Sequence, residues 1–192
     1  MISSPVDKWN QRYLKSSTPN SPAQVLTENL HLLPAQGRAL ELACGLGGNA
    51  LLLAKQGLTT EAWDLSEVAI NKLQQLSLEN NLSINARVVD LNQEPPVAES
   101  YDVICVSAYL ERTLCSAISN ALKPGGLIFY QTFTQQKTDN TGPSNPDFLL
   151  ESGELFALFA DLIPVAYRQE SDCGDLSRGL RNQAYLIARK PV

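Results

Sequence analysis

Short apolar runs alternate along this chain with longer stretches of helical period, the pattern of an α/β sheet. "RALELAC" at 38–44, "TTEAWD" at 59–64, "ARVVD" at 86–90, "YDVICVS" at 101–107 and "LIFYQTF" at 127–133 read as successive strands. The fourth is strongly apolar, which places it centrally with both faces covered. Between these runs, "NALLLAKQG" reads as a helix closed by Gly57, and Ser66 caps a long helix reaching Glu79. "LCSAISNALK" reads as a helix before the turn "PGG". Ahead of the first strand, a short helix is expected over 7–15, and Ser21 with Pro22 starts a second that runs to Leu32. A loop rich in Asn, Thr, Gly and Pro covers 134–146, followed by a helical "GELFALFADL". The last two apolar runs, "LIPVAYRQ" and "QAYLIARK", have no helical pattern between them. They cannot form a parallel crossover and are expected as an antiparallel hairpin. The expected fold class is α/β: a doubly wound seven-stranded sheet, mostly parallel, with an antiparallel C-terminal edge hairpin. Residues 1–192 form one domain in this reading, with 1–33 as a helical cover over a core at 38–192.

Composition narrows the function classes. The 192 residues are enough for one domain and its core. A net charge of −5 argues against nucleic acid as a partner, since phosphate binding needs clustered Lys and Arg. No apolar run approaches the roughly 18–20 residues of a membrane span, so no membrane partner is expected. "MISSPVDKWN" lacks the basic segment and apolar stretch of a signal peptide. Four cysteines without a C-x-x-C pair, and a single histidine, give a metal site little to build with, so no metal is expected. Reduced thiols and a cytoplasmic location follow as expectations, with a small molecule as partner and a monomer or homodimer as assembly.

The segment that carries chemistry is "ALELACGLGGNALLLAKQG". A strand enters a glycine-rich turn and leaves as a helix, so backbone amides and the positive helix end face a ligand. Gly45 and Gly47 allow the sharp turn and a close backbone approach. Residues 45–50 also fit the dinucleotide pattern G-x-G-x-x-A. Acids at successive strand ends add a second signal, because ligands of open parallel sheets sit at the carboxyl ends of the strands. Glu41 stands just before the turn, where it can pair with an ammonium group. Asp64 ends the second strand, where a carboxylate can accept both hydroxyls of a ribose. Asp90 ends the third, suited to an exocyclic adenine amine, and Leu65 and Leu91 follow the two acids as candidates to sandwich a flat base.

"ELACGLGGNALLLAKQG", "WDLS", "VVDLN", "YDVICVSAYLER" and "LKPGGLIFYQTF" resemble, in order and spacing, the motifs of class I S-adenosylmethionine-dependent methyltransferases. "WNQRY" and "CGLGGNA" are most similar to the tellurite-resistance-like subgroup. The resemblance implies a Rossmann-like fold, S-adenosyl-L-methionine as cofactor and S-adenosyl-L-homocysteine as product. It implies that the turn from Glu41 through Ala43, Cys44 and Gly45 to Gly47, with Asn49 behind it, holds the methionine part. Asp64 would then hold ribose, and Asp90 with Leu91 adenine. Ser107, Ala108 and Tyr109 would line the methyl-donor end, and Trp9 and Tyr13 would belong to the N-terminal cover. Ala43 departs from the family, which has a glycine there, and Glu41 replaces the commoner Asp.

The acceptor side is less defined. A soft nucleophile such as a thiolate or a reduced chalcogen oxyanion needs alignment and little else. A hydroxyl or ammonium acceptor needs a general base. Candidate catalytic residues are Arg112, as holder of an anionic substrate, His31 as the single imidazole, and Tyr109. Phe133 is a further candidate for the pocket wall, and Arg168, Arg178 and Arg181 form either a solvated loop or a substrate clamp. "SNPDF" lies away from the fourth strand, where an Asn-Pro catalytic element would belong, and the loop carrying it is expected as a lid. A nicotinamide-dependent oxidoreductase would share the glycine turn but gives no reason for Asp90, "LKPGG" or the closing hairpin. A non-catalytic sensor of the same cofactor remains the other alternative.

Overall fold

The computed structural model describes residues 4–16 and 18–192, so the first three residues of the expected cover, and Ser17, lie outside the described residues. Two helices, α1 (Pro5–Leu14) and α2 (Gln24–Thr27), precede a regular alternation. It runs β1 (Arg38–Leu42), α3 (Gly48–Lys55), β2 (Thr59–Asp64), α4 (Glu67–Glu79), β3 (Ile84–Val88), β4 (Tyr101–Ser107), α5 (Cys115–Ala121) and β5 (Leu122–Phe133). The chain closes with α6 (Glu154–Leu158), β6 (Ile163–Gln169) and β7 (Gln183–Arg189).

The seven strands pair in the order β3-β2-β1-β4-β5-β7-β6. The first five are parallel, whereas β7 runs antiparallel to both β5 and β6. This is the Rossmann-like doubly wound sheet with a C-terminal antiparallel hairpin. Alternation along β4 divides its side chains between two cores, as period-2 geometry requires. Ile104 and Val106 join one face with Leu40, Leu42, Tyr130 and Phe159. Val103 and Cys105 join the other with Val25, Leu53 and Phe129. The same alternation on β1 turns Glu41 away from Leu40 and Leu42, toward α3. That single geometric fact positions the site.

Four expected boundaries are corrected. The helix expected from Ser21 to Leu32 is only the four residues of α2, then a 3₁₀ turn at Leu30–Leu32. Its backbone is claimed by other groups: the N–H of Ala23 donates to Asn49, that of Val25 to Gln131, and the Asn29 amide takes the carbonyl of Val25. Tertiary partners override local propensity there. The third strand runs over Ile84–Val88, so Asp90 lies in the turn beyond it. The fifth strand begins at Leu122, and the expected "PGG" turn is absorbed as a register shift opposite Tyr101 and Val103. The last helix is cut to Glu154–Leu158 as Phe159 leaves helical geometry and enters the core.

Candidate functional site

The β1–α3 turn bends through three left-handed residues, Ala43 (φ 51°), Gly45 (φ 53°) and Gly47 (φ 76°). A side chain at Gly47 would place its Cβ 2.3 Å from Leu73, so close packing on α4 also demands glycine there. Ala43 adopts the same unfavourable region with a Cβ, a conformation that costs about 1–2 kcal/mol for an L-residue. Behind the turn, Glu41 accepts from the Asn49 amide at 2.8 Å and from the N–H of Ala50 at 2.7 Å. The carboxyl is fully enclosed, and burial pushes its pKa up to about 8 against the pull of these two donors. Asn49 is a buried junction and not a group facing outward, because its amide also donates to Ser107 and accepts from Ala23.

Asp64, at the end of β2, holds the turn from the neighbouring strand. One carboxylate oxygen accepts from the N–H of Gly45 and the other from that of Ser66, at 2.7 and 2.8 Å. Burial raises its pKa while these two bonds oppose the rise. Strand order therefore brings Glu41, Asp64 and Asp90 to adjacent strand ends. Asp90 is half-exposed and accepts from the N–H of Asn92 and the side chain of Gln93 in its own turn. Leu65 is half-buried, but Leu91 belongs to the core with Trp63 and Val89.

Helix α1 lies across this turn. A Cβ on Gly45 would stand 2.7 Å from the Tyr13 hydroxyl, so the phenol sits directly on the turn. Trp9 stacks on Tyr13 with ring centroids 5.9 Å apart. Burial and then the charge of Asp64 hold the Tyr13 hydroxyl protonated far above its ordinary range. Asn10 accepts from the Ser66 hydroxyl at 2.6 Å, and the Lys72 ammonium donates to the carbonyls of Tyr13 and Ser16.

At the end of β4, Ser107 meets Asn49, and Ala108 (φ 54°) gives its N–H to the Gln131 carbonyl. The Tyr109 carbonyl accepts from Tyr130, and burial followed by the Glu111, Asp90 and Asp64 charges pushes the Tyr109 phenol up to about 12. The remaining acceptor-side candidates separate. Arg112 donates to both oxygens of Glu154 and to the carbonyls of Asp147 and Leu149, so it clamps the loop that carries "SNPDF". Arg168 pairs with Glu28 and Glu170, and Arg181 binds the carbonyls of Arg178, Ser171 and Asp175. Arg178 is exposed on the same loop. His31 is exposed on the 3₁₀ turn whose Leu30 and Leu32 pack against the α3-side core. Phe133 lies against Gly142 of the long loop.

Sequence reasoning missed three groups. Gln131 is buried in β5, accepts from the N–H of Val25 and donates to Gln183. A glutamine inside "LIFYQTF" was its signal, because a buried polar side chain must find partners. Asn10 and Ser66 form the latch between cover and core, and no pattern along the chain pairs residues so far apart.

A strand-end carboxylate row around a left-handed glycine turn, on a sheet closed by a reversed β7, defines the class I S-adenosylmethionine-dependent methyltransferase superfamily. The family model described as "Tellurite resistance protein TehB" matches residues 7–186. The chain belongs to the TehB family. The crystal structure of TehB from Haemophilus influenzae superposes with a TM-score of 0.70 at 24% identity, over 96% of this chain and 67% of that one. The biotin biosynthesis bifunctional protein BioCD of Bordetella avium (strain 197N) is 30% identical over 137 residues, which is 67% of this chain and 27% of that protein. A Haemophilus influenzae protein (strain ATCC 51907 / DSM 11121 / KW20 / Rd) named "Probable S-adenosyl-L-methionine-dependent methyltransferase TehB" is 32% identical over 89 residues, 45% of this chain and 31% of that protein. The chain thus spans less than a third of these two curated relatives.

Proposed function

We propose that this protein binds S-adenosylmethionine at the turn between β1 and α3 and transfers its methyl group to a small soft nucleophile such as a thiolate, formed from a thiol that has given its proton to solvent. The observation that carries the cofactor reading is the use of the turn's amides. The N–H groups of Gly45 and Ala50 are already accepted by Asp64 and Glu41. A dinucleotide pyrophosphate would need such amides free, and here protein acids already hold them. Hydroxyls, an amine and an ammonium group suit the same acids. The missing Cβ of Gly45 lets the Tyr13 phenol close directly onto the turn.

The chemistry such a cofactor supplies is an activated methyl group on a cationic sulfur. The chain's own part is to bind, align and exclude water. Glu41 and Asp64 brace the turn, Asp90 lies one strand further, and Trp9 with Tyr13 roofs it. Burial and the neighbouring acids push the Tyr109 phenol up to about 12, which makes it a poor base. The single imidazole, His31, is exposed on the 3₁₀ turn at Leu30–Leu32 and shares no hydrogen bond or ion pair with Glu41, Asp64 or Tyr109. The acceptor must therefore arrive able to attack without a strong base. Arg112, Arg168 and Arg181 are all committed to protein acids or carbonyls, which leaves none of these guanidiniums to hold a chalcogen oxyanion and favours the thiolate. The family's description favours the second reading, a chalcogen oxyanion.

Calorimetric titration with S-adenosylhomocysteine and with NAD tests the cofactor reading. Binding of the thioether alone is expected, and binding of NAD alone overturns it. Release of S-adenosylhomocysteine is then followed with a small thiol and with tellurite. Faster release with the thiol is expected, and faster release with tellurite selects the oxyanion.

A further inference from the structure

Asn49 sits in the first turn of α3 with both amide N–H groups engaged, one to Glu41 at 2.8 Å and one to Ser107 at 2.9 Å. Its carbonyl oxygen accepts from the N–H of Ala23 at 2.7 Å. An amide has two N–H donors, so none remains for a ligand. Glu41 depends on this contact. Its other oxygen accepts from Ala50, and the titratable groups facing it are Asp64 across the turn, Cys44 within it, Cys105 on β4 and Tyr13 on α1. None of these is a cation.

We infer that Asn49 is a positioning residue: its amide, fixed by Ser107 and Ala23, holds the Glu41 carboxyl group in place behind the glycine turn, and the site's attraction for a cationic cofactor depends on that contact. The cofactor half of this inference rests on the function proposed above. The first half does not.

Burial raises the Glu41 pKa from 4.5 to about 8, with the Asn49 amide as the leading opposing influence. A raised acid binds its proton more tightly in the folded protein than in the unfolded chain. Its contribution to stability is therefore complete below the unfolded value and is lost progressively as pH rises through the folded one. The cofactor-free protein should lose thermal stability from about pH 5 to about pH 8 and then level off. Removing the Asn49 donor extends that decline to higher pH.

Thermal unfolding of the cofactor-free protein across this range provides the test. In Asn49→Ala the levelling point should move up by about one to two pH units, the loss of one hydrogen bond to a charged group. Asn49→Ser, which retains a donor, should recover part of the displacement, and Glu41→Gln should abolish the inflection in either background. A uniform loss of stability in Asn49→Ala with the inflection unmoved would show a structural role only and overturn the inference. Where Glu41→Gln does not fold, the carboxyl carbon resonance of Glu41 in wild-type and Asn49→Ala protein reads the same displacement. Titration with S-adenosylhomocysteine across the same pH range completes the test, with affinity expected to rise through each protein's own inflection. Binding that ignores the inflection overturns the cofactor half. No binding at any pH, with the unfolding result intact, sinks the proposed function and leaves the positioning of Glu41 standing.

Discussion

The glycine turn and the helix that covers it are held by opposite means. Glu41, Asn49 and Asp64 are 2%, 3% and 6% exposed and bonded to one another's elements, whereas α1 has no buried residue at all. The turn is fixed because each of its polar groups, if orphaned, would cost about 1–3 kcal/mol. The cover rests on the Asn10–Ser66 bond, the Lys72 contacts and one aromatic pair over Gly45. Its opening exposes little apolar surface and sacrifices few bonds, so it belongs to the low-stability end of the molecule. A rigid seat under a loosely latched roof is what a site needs if its ligand must enter and its methyl donor must be kept dry.

The largest effect should come from the seat. Asp64→Ala removes the acceptor of both the Gly45 and Ser66 N–H groups and releases the turn from β2. Affinity for S-adenosylhomocysteine should fall at least about a hundredfold by calorimetry, the scale of two lost charge-assisted hydrogen bonds. An affinity within a few-fold of wild type would mean that the carboxylate serves the fold alone.

The roof should respond differently. Asn10→Ala deletes the acceptor of the Ser66 hydroxyl, an exchange of one partly buried hydrogen bond for water worth about 1 kcal/mol. Global stability should hardly change, while amide exchange over α1 accelerates and exchange in α3 does not. Equal acceleration in both helices would show that cover and seat open as one unit, and the contrast between them would be lost.

These two regions also differ in how far the sequence reveals them. The seat lies in one continuous segment, where a strand, a glycine turn and a helix announce themselves through period and residue type. Asp64 and Asp90 were legible because parallel strands align their carboxyl ends. What Glu41 and Asn49 do there was not legible. Their bonds depend on which face of β1 meets the first turn of α3, and that emerges only once the strand is placed. The arginines were ambiguous for a related reason. A guanidinium near a strand end suits a ligand or a protein carboxylate equally, and the partner of Arg112 is Glu154, 42 residues away. Helix α2 was overestimated because its amides are drawn to Asn49 and Gln131, partners that no local propensity contains.

The smallest predicted effect has the opposite sign and bears on the seat's one imperfection. Ala43 takes a left-handed conformation at φ 51° where the resemblance to the family places glycine. Ala43→Gly should relieve about 1–2 kcal/mol of backbone strain. It also adds freedom to the unfolded chain, which takes back about 0.4–1 kcal/mol. The net expectation is a gain of about 0.5–1 kcal/mol in urea unfolding at unchanged slope, with affinity for S-adenosylhomocysteine altered less than about twofold. The direction is what matters. Loss of a Cβ in a half-buried turn ordinarily destabilises, so stabilisation can arise only if the turn is held in that conformation by its neighbours. Glu41 and Asp64 are the neighbours that hold it, through Ala50 and Gly45. A destabilised glycine variant would place Ala43 outside the left-handed region and remove the strain from the seat.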